Sequence, residues 1–166
     1  MTNNEFNLHL TFEEESAALF IALSAALSAS SPNELDLRSY SRPHVTLCRT
    51  NEHLDLSGGL PCRVQLTCGS PYVSARNGRH ILVPVRPTDK DAALVREAVR
   101  RASETVVPMA DIGEWHVSIG YLTSDPASAL SRLPSLMGRE VRTARLQLAA
   151  SIPHGGLGRV VTVLEG

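Results

Sequence analysis

Arg42-Pro43-His44-Val45-Thr46-Leu47-Cys48 and Glu114-Trp115-His116-Val117-Ser118-Ile119-Gly120 are two versions of one pattern, with their histidines 72 residues apart. Aligned on histidine, each reads His-Val, a hydroxyl residue, then a branched aliphatic. In a β-strand successive side chains point to opposite faces. His44 and Thr46 therefore share one face, with Val45 and Leu47 turned to the core. His116 and Ser118 repeat the arrangement over Val117 and Ile119. Each copy sets an imidazole beside a hydroxyl on a rigid element, and the fold must explain why there are two.

The surrounding composition is that of one soluble domain. A chain of 166 residues with 43% hydrophobic and 20% charged residues is long enough to bury roughly 68–70% of its unfolded surface. The N-terminus lacks the basic and apolar segments of a secretory signal. The most apolar window, Ala17 to Ala29, is too short to span a bilayer. These features lead us to expect a soluble, cytoplasmic protein without membrane contact. Cys48, Cys62 and Cys68 form no CxxC pair, and on one strand Cys62 and Cys68 would stand about 20 Å apart, so all three read as reduced thiols. Period two places Cys48 on the face of His44 and Thr46. Net charge is only −1, yet residues 1–37 hold six acids and no basic residue, and fifteen of the sixteen basic residues are arginine. Arginine suits bidentate phosphate contacts, and a modest local positive field fits a small phosphorylated ligand better than a long duplex.

In chain order, Phe6, Leu8 and Leu10 alternate with Asn7 and His9 as a first strand. Thr11 and Glu14 have capping-box spacing and open a helix with an apolar stripe at Leu19, Leu23, Ala26 and Leu27, ending near Ser30-Ser31-Pro32. A polar loop carries Tyr40 and Arg42 to the first His strand, and Asn51–Gly59 forms another loop. Cys62–Cys68 alternates as a strand. Tyr72–Ala75 and His80–Val85 flank an Asn77-Gly78 turn, a strong hairpin signal. Thr88 and Asp91 cap a helix whose Ala92, Val95, Ala98, Val99 and Ala102 face one way. A loop with Pro108 and Gly113 leads to the second His strand. Asp125-Pro126 starts a short helix that Pro134 ends or kinks. Val141–Ala150 and Arg159–Leu164 are the last strands. Their connection through Gly155-Gly156-Leu157-Gly158 lacks the Lys-Ser/Thr ending of a phosphate loop and reads as a hairpin turn. The expected architecture is α+β, a single domain over 1–166. It would comprise two pseudo-symmetric lobes, each an antiparallel-rich sheet with a flanking helix, facing each other across a cleft.

His-Val-Thr-Leu at 44–47 and His-Val-Ser-Ile at 116–119 resemble the paired H-x-[ST]-φ motifs of the two-histidine (2H) phosphoesterase superfamily. The resemblance covers nearly the whole chain and implies a bilobal phosphodiesterase. Its substrates would be small nucleotides, RNA ends bearing 2′,3′-cyclic phosphate, or cyclic and 2′,5′-linked signalling oligonucleotides. The chemistry fits on its own terms. Cleaving a phosphodiester needs a base and an acid, and histidine serves as either near neutral pH. The hydroxyls of Thr46 and Ser118 can donate to non-bridging oxygens. No cofactor is called for, and no H-x-H, HExxH or carboxylate cluster indicates a metal. Catalytic candidates are thus His44, Thr46, His116 and Ser118, with Tyr40 and Arg42 as substrate-binding candidates. His9, His53, His80 and His154 lack the motif and read as structural or surface residues, and Trp115 as core. The readings to be weighed against an enzyme are a nucleotide-binding module that kept the cleft and a coincidental pair of motifs.

Overall fold

The computed structural model describes residues 6–38, 40–50, 54, 61–102, 115–152 and 156–165. The loops expected at Asn51–Gly59 (Leu54 apart) and around Pro108 and Gly113, with His53 and His154, lie outside them.

The polar–apolar alternation of the N-terminal segment forms β1 (Phe6–Phe12), followed by α1 (Glu14–Ser30) and β2 (His44–Thr50). The expected capping box does not form. Thr11 is still inside β1, opposite His44, and Glu13 occupies the cap with extended backbone and no side-chain bond. The helix start is instead tied to the late strand: Glu13 N–H donates to the Arg142 carbonyl, and Ser16 Oγ accepts from Arg142 N–H. The buried stripe of α1 is Phe20, Leu23, Ser24 and Leu27, while Ala26 is exposed. Ser24 is buried without penalty, since Oγ donates to the Leu35 carbonyl and accepts from Leu37 N–H.

Cys62, Val64, Leu66 and Cys68 are buried and Arg63, Gln65 and Thr67 exposed, as the alternation requires, but β3 spans only Gln65–Cys68. Before it, Thr143 Oγ1 accepts from Val64 N–H and donates to the Cys62 carbonyl, so a side chain replaces ladder bonds. β4 (Tyr72–Val73) and β5 (His80–Pro87) follow. Gly78 takes φ +65° in their connection, and Asn77 Oδ1 accepts from Arg79 and His80 N–H. In α2 (Asp89–Ala102), Thr88 Oγ1 accepts from Asp91 N–H, and Ala92, Val95, Ala98 and Val99 are buried. β6 (His116–Tyr121) precedes α3 (Pro126–Ser131), which Asp125 caps by accepting from Ser128 N–H. β7 (Glu140–Ile152) and β8 (Gly156–Glu165) close the chain as a hairpin.

The architecture is mixed α+β, dominated by antiparallel strands. β2, β1, β7 and β8 lie side by side in that order; β6, β5 and β3 form the other run, with β4 also on β5. β7 joins them: Glu140–Arg142 pair with β3, and the strand continues between β1 and β8. The halves of the sheet are therefore not the halves of the sequence. Among the described residues, no helix is long and apolar enough to cross a membrane.

Candidate active site

Directly opposed residues of an antiparallel pair share a face, so the register reads out the site. Across β2, β1 and β7, His44 opposes Thr11, which opposes Arg145; Thr46 opposes His9, which opposes Gln147; and Arg49 opposes Asn7, which opposes Ala149. The other face carries Val45, Leu10 and Leu146, then Cys48, Leu8 and Leu148, all buried. One face is the apolar core, and the other a polar stripe that begins with the motif.

Strict alternation would have put Cys48 in that stripe. It is not there. A β-bulge leaves Leu47 without an opposite residue, so Thr46 pairs with His9 but Cys48 pairs with Leu8. The extra residue reverses the alternation, sending Cys48 into the core and Arg49 to the site face. Burial lifts the Cys48 thiol to about 11, which leaves it unreactive. All three cysteines are buried, with no disulfide among them.

The second motif has the same device. His116 opposes Pro84 and Ser118 opposes Leu82, but Ile119 is bulged out, so that Gly120 opposes Ile81 and Tyr121 opposes His80. Val117 and Ile119 are fully buried and Trp115 is in the core, as expected. Gly120 lets β6 approach α1 closely, since a Cβ there would lie 2.8 Å from Leu27 Cδ1 and force that side chain to shift. Asn33 Oδ1 fixes the edge of β6 by accepting from Tyr121 N–H at 2.9 Å. The two His strands, β2 and β6, come into contact.

His44 is only 6% exposed. Its Nδ1 lies 2.8 Å from the Arg42 carbonyl. A carbonyl only accepts, so Nδ1 carries the proton and Nε2 of the neutral ring remains an acceptor. Burial pulls the imidazole down to about 3, helped by the rings of His9 and His116 and by Arg49, against the pull of the Arg42 carbonyl. His44 is therefore neutral at physiological pH. Thr46, half-buried, accepts from Asn7 Nδ2 at 3.1 Å, which turns its own hydroxyl proton away from Asn7 and leaves it to donate elsewhere. His116 and Ser118 are half-buried on β6.

Of the remaining candidates, Arg42 has an exposed side chain and touches His44 through its main-chain carbonyl. Tyr40 is half-buried against the core beside Gly156, where an added Cβ would sit 2.6 Å from its Cε1. The sequence reading missed Asn7 and His9. Asn7 reads there only as a polar residue of a first strand and His9 as structural or surface, and both are completely buried. His9 meets the ring of His44 edge-on, at 5.3 Å between centroids. Its Nδ1 bonds the Asn7 carbonyl at 3.0 Å and its Nε2 lies 3.3 Å from Gln147 Oε1. Burial lowers its pKa, against the effect of both bonds. Their positions two and four residues apart from Thr11 on one strand were a visible signal; what lay over that face was not. Among the described residues, no group of three or more His, Cys, Asp or Glu is placed to hold a metal ion.

No protein-family model and no curated protein matches this sequence. Solved structures do match in three dimensions. TT0787 of Thermus thermophilus has a TM-score of 0.62 at 13% identity over 97% of each chain. Usb1 of Kluyveromyces marxianus has a TM-score of 0.50 at 16% identity over 98% of each chain. The same Usb1 with uridine monophosphate gives 0.50 at 14%, over 99% of this chain and 100% of that one. At such identities the likeness is one of fold: this chain carries its paired motifs in a fold similar to that of TT0787 and Usb1.

Proposed function

We propose that the chain is a phosphodiesterase of small nucleotides or RNA ends, with His44 as general base and His116 as general acid. The observation that carries this reading is the contact of the two His strands with His44 held neutral, its Nδ1 tied to a carbonyl and Nε2 left to accept a proton. In opening a 2′,3′-cyclic phosphate, His44 Nε2 takes a proton from water as the oxygen attacks phosphorus. The bond from phosphorus to one ribose oxygen breaks, and His116 gives that oxygen a proton. Thr46, its proton freed by Asn7, and Ser118 donate to the non-bridging oxygens as charge builds. Arg49, whose charge is felt by His44, and Arg42 are the cationic groups assigned to contact the phosphate. The uridine monophosphate held by the Usb1 structure supports a ligand of nucleotide size.

The test is product chromatography in EDTA over a panel of 2′,3′-cyclic nucleotides, cyclic-phosphate-ended RNA, 2′,5′-oligoadenylate and cyclic di- and trinucleotides. A His44→Ala/His116→Ala variant runs alongside. Turnover of one class by the wild type, abolished in the variant, is expected and names the substrate, including the signalling oligonucleotides. Nucleotide binding without turnover would replace the enzyme with a binding module.

A further inference from the structure

The polar stripe holds a third imidazole that the phosphodiesterase chemistry does not use. His9 lies on β1, the middle strand of three, directly opposite Thr46 of β2 and Gln147 of β7. The bulge at Leu47 puts it there; in a regular ladder running on from Leu8 and Cys48, His9 would oppose Leu47. Its ring meets that of His44 edge-on, 5.3 Å between centroids and 68° between planes. In the second motif the residues opposite Ser118 and His116 are Leu82 and Pro84, so an imidazole in this position belongs to the first motif alone.

Histidine is a costly way to fill a closed space. Complete burial takes both ring nitrogens out of water, and each then needs a protein partner. Both have one: Nδ1 lies 3.0 Å from the Asn7 carbonyl, and Nε2 lies 3.3 Å from the side-chain amide of Gln147. Facing a carbonyl, Nδ1 carries the proton of the neutral ring, and a half-turn of the Gln147 amide gives Nε2 the donor it then needs. An apolar side chain would fill the space without these demands. What the two bonds add is a ring that cannot turn. His44, by contrast, is tied through Nδ1 to the Arg42 carbonyl; that bond fixes the tautomer, and the ring can still tilt about it.

We propose that His9, braced by Gln147, is a positioning residue that clamps the ring of His44 from the neighbouring strand and keeps its Nε2 aimed at the reacting group. With both of its own nitrogens engaged, His9 neither takes the catalytic proton nor bonds His44, so it acts only through the base. A displacement of about 1 Å at a catalytic group can cost about 10²-fold in rate, which is the scale on which a wall beside the ring matters. His9 also fills room next to His44 that water would otherwise enter; the other ionisable groups bearing on that ring are His116 and Arg49. The inference rests on the phosphodiesterase reading for what His44 does, and adds how the base is held.

Nuclear magnetic resonance of the full chain with 15N-labelled histidine reads the His44 ring without turnover. Between about pH 5 and 8 the wild-type ring is expected to stay neutral in its Nδ1–H form. In His9→Ala, where water reaches the ring, its titration should move up into that window and its tautomer should become mixed. With a substrate from the panel, His9→Ala should lower kcat at least about tenfold with KM within about twofold, because the clamp acts on the base and leaves ligand binding alone. His9→Phe, which restores a ring edge, should recover most of that loss. Gln147→Leu keeps the imidazole and frees it to turn, so it carries the test if His9→Ala fails to fold. It should lower kcat in the wild type and change nothing further in His9→Phe. A His44 titration left unmoved in His9→Ala, a loss carried by KM, or additive losses in the double variant would each overturn the clamp. The two readings fail separately. A His44 ring that responds to His9→Ala in a protein that cleaves no diester sinks the enzyme and spares the clamp. Cleavage that needs His44 and ignores His9→Ala does the reverse.

Discussion

Acidification should unfold this protein partly through His44, by an amount the structure sets. In the folded chain the imidazole is held down to about 3, and in the unfolded chain it returns to the ordinary 6.5. The group is neutral in both states above pH 7 and contributes no pH dependence there. Between about pH 6.5 and 3 the unfolded chain binds a proton that the folded chain refuses, so stability falls as pH falls. At pH 5 the unfolded imidazole is charged over a gap of about 1.5 pH units, which at about 1.4 kcal/mol each makes about 2 kcal/mol. Urea unfolding followed by circular dichroism at pH 7.5 and pH 5 measures it. The wild type should lose about 2 kcal/mol more between the two than His44→Gln, which has no proton to gain. Any constant cost of the substitution cancels in that comparison. Equal losses in the two proteins would mean that His44 is solvated and charged in the folded state, and the assignment of a neutral base would fall with it.

On the kinetic side, His44→Ala and His116→Ala should each lower kcat/KM by at least ~10²-fold on whichever substrate the panel identifies; a loss under threefold would make that histidine a bystander. The acid-side decline of wild-type kcat/KM should lie well below pH 6.5, because the base resists protonation; a decline centred at 6.5 would contradict its burial. Asn7→Leu should depress kcat as Thr46→Val does, and the double variant should be no worse than either single one, since both act through one hydroxyl; additive losses would separate them. Thr143→Val strands the Val64 N–H and the Cys62 carbonyl and should cost about 1–3 kcal/mol in urea melts with no change in substrate preference.

Most of the strands could be read from alternation, because each has one apolar face, and the paired motifs singled out two that come into contact. Two kinds of feature were out of reach. Bulges are one: His-Val-Thr-Leu-Cys-Arg alternates evenly as a string, and only pairing with β1 shows that Leu47 is skipped, which exchanged Cys48 for Arg49 on the site face. The pairing of Tyr121 with His80 was hidden the same way, by the bulge at Ile119. The other is burial of a polar face. In the sequence Asn7 and His9 are only the polar half of an alternation; their complete burial follows from the packing around β1, which lies between β2 and β7. Local chemistry also misled at Thr11, whose capping spacing to Glu14 lost to the continuing β1 ladder with His44 and Arg145. The caps at Thr88 and Asp125, by contrast, sit outside any ladder and formed as their sequences indicate.

β7 has a consequence for how the molecule comes into being. It begins against β3 and goes on between β1 and β8, so β1 and β3 both wait for residues synthesised long after them. Until Glu140–Ala150 emerge, β1 has only β2 beside it and Gln147 cannot yet anchor His9. Contacts that span so much chain form slowly, and the nascent polypeptide must keep its Val- and Leu-rich strands from other company in the meantime. A stall or truncation ahead of position 140 would release a chain that holds both histidine motifs and has no seam to bring them together.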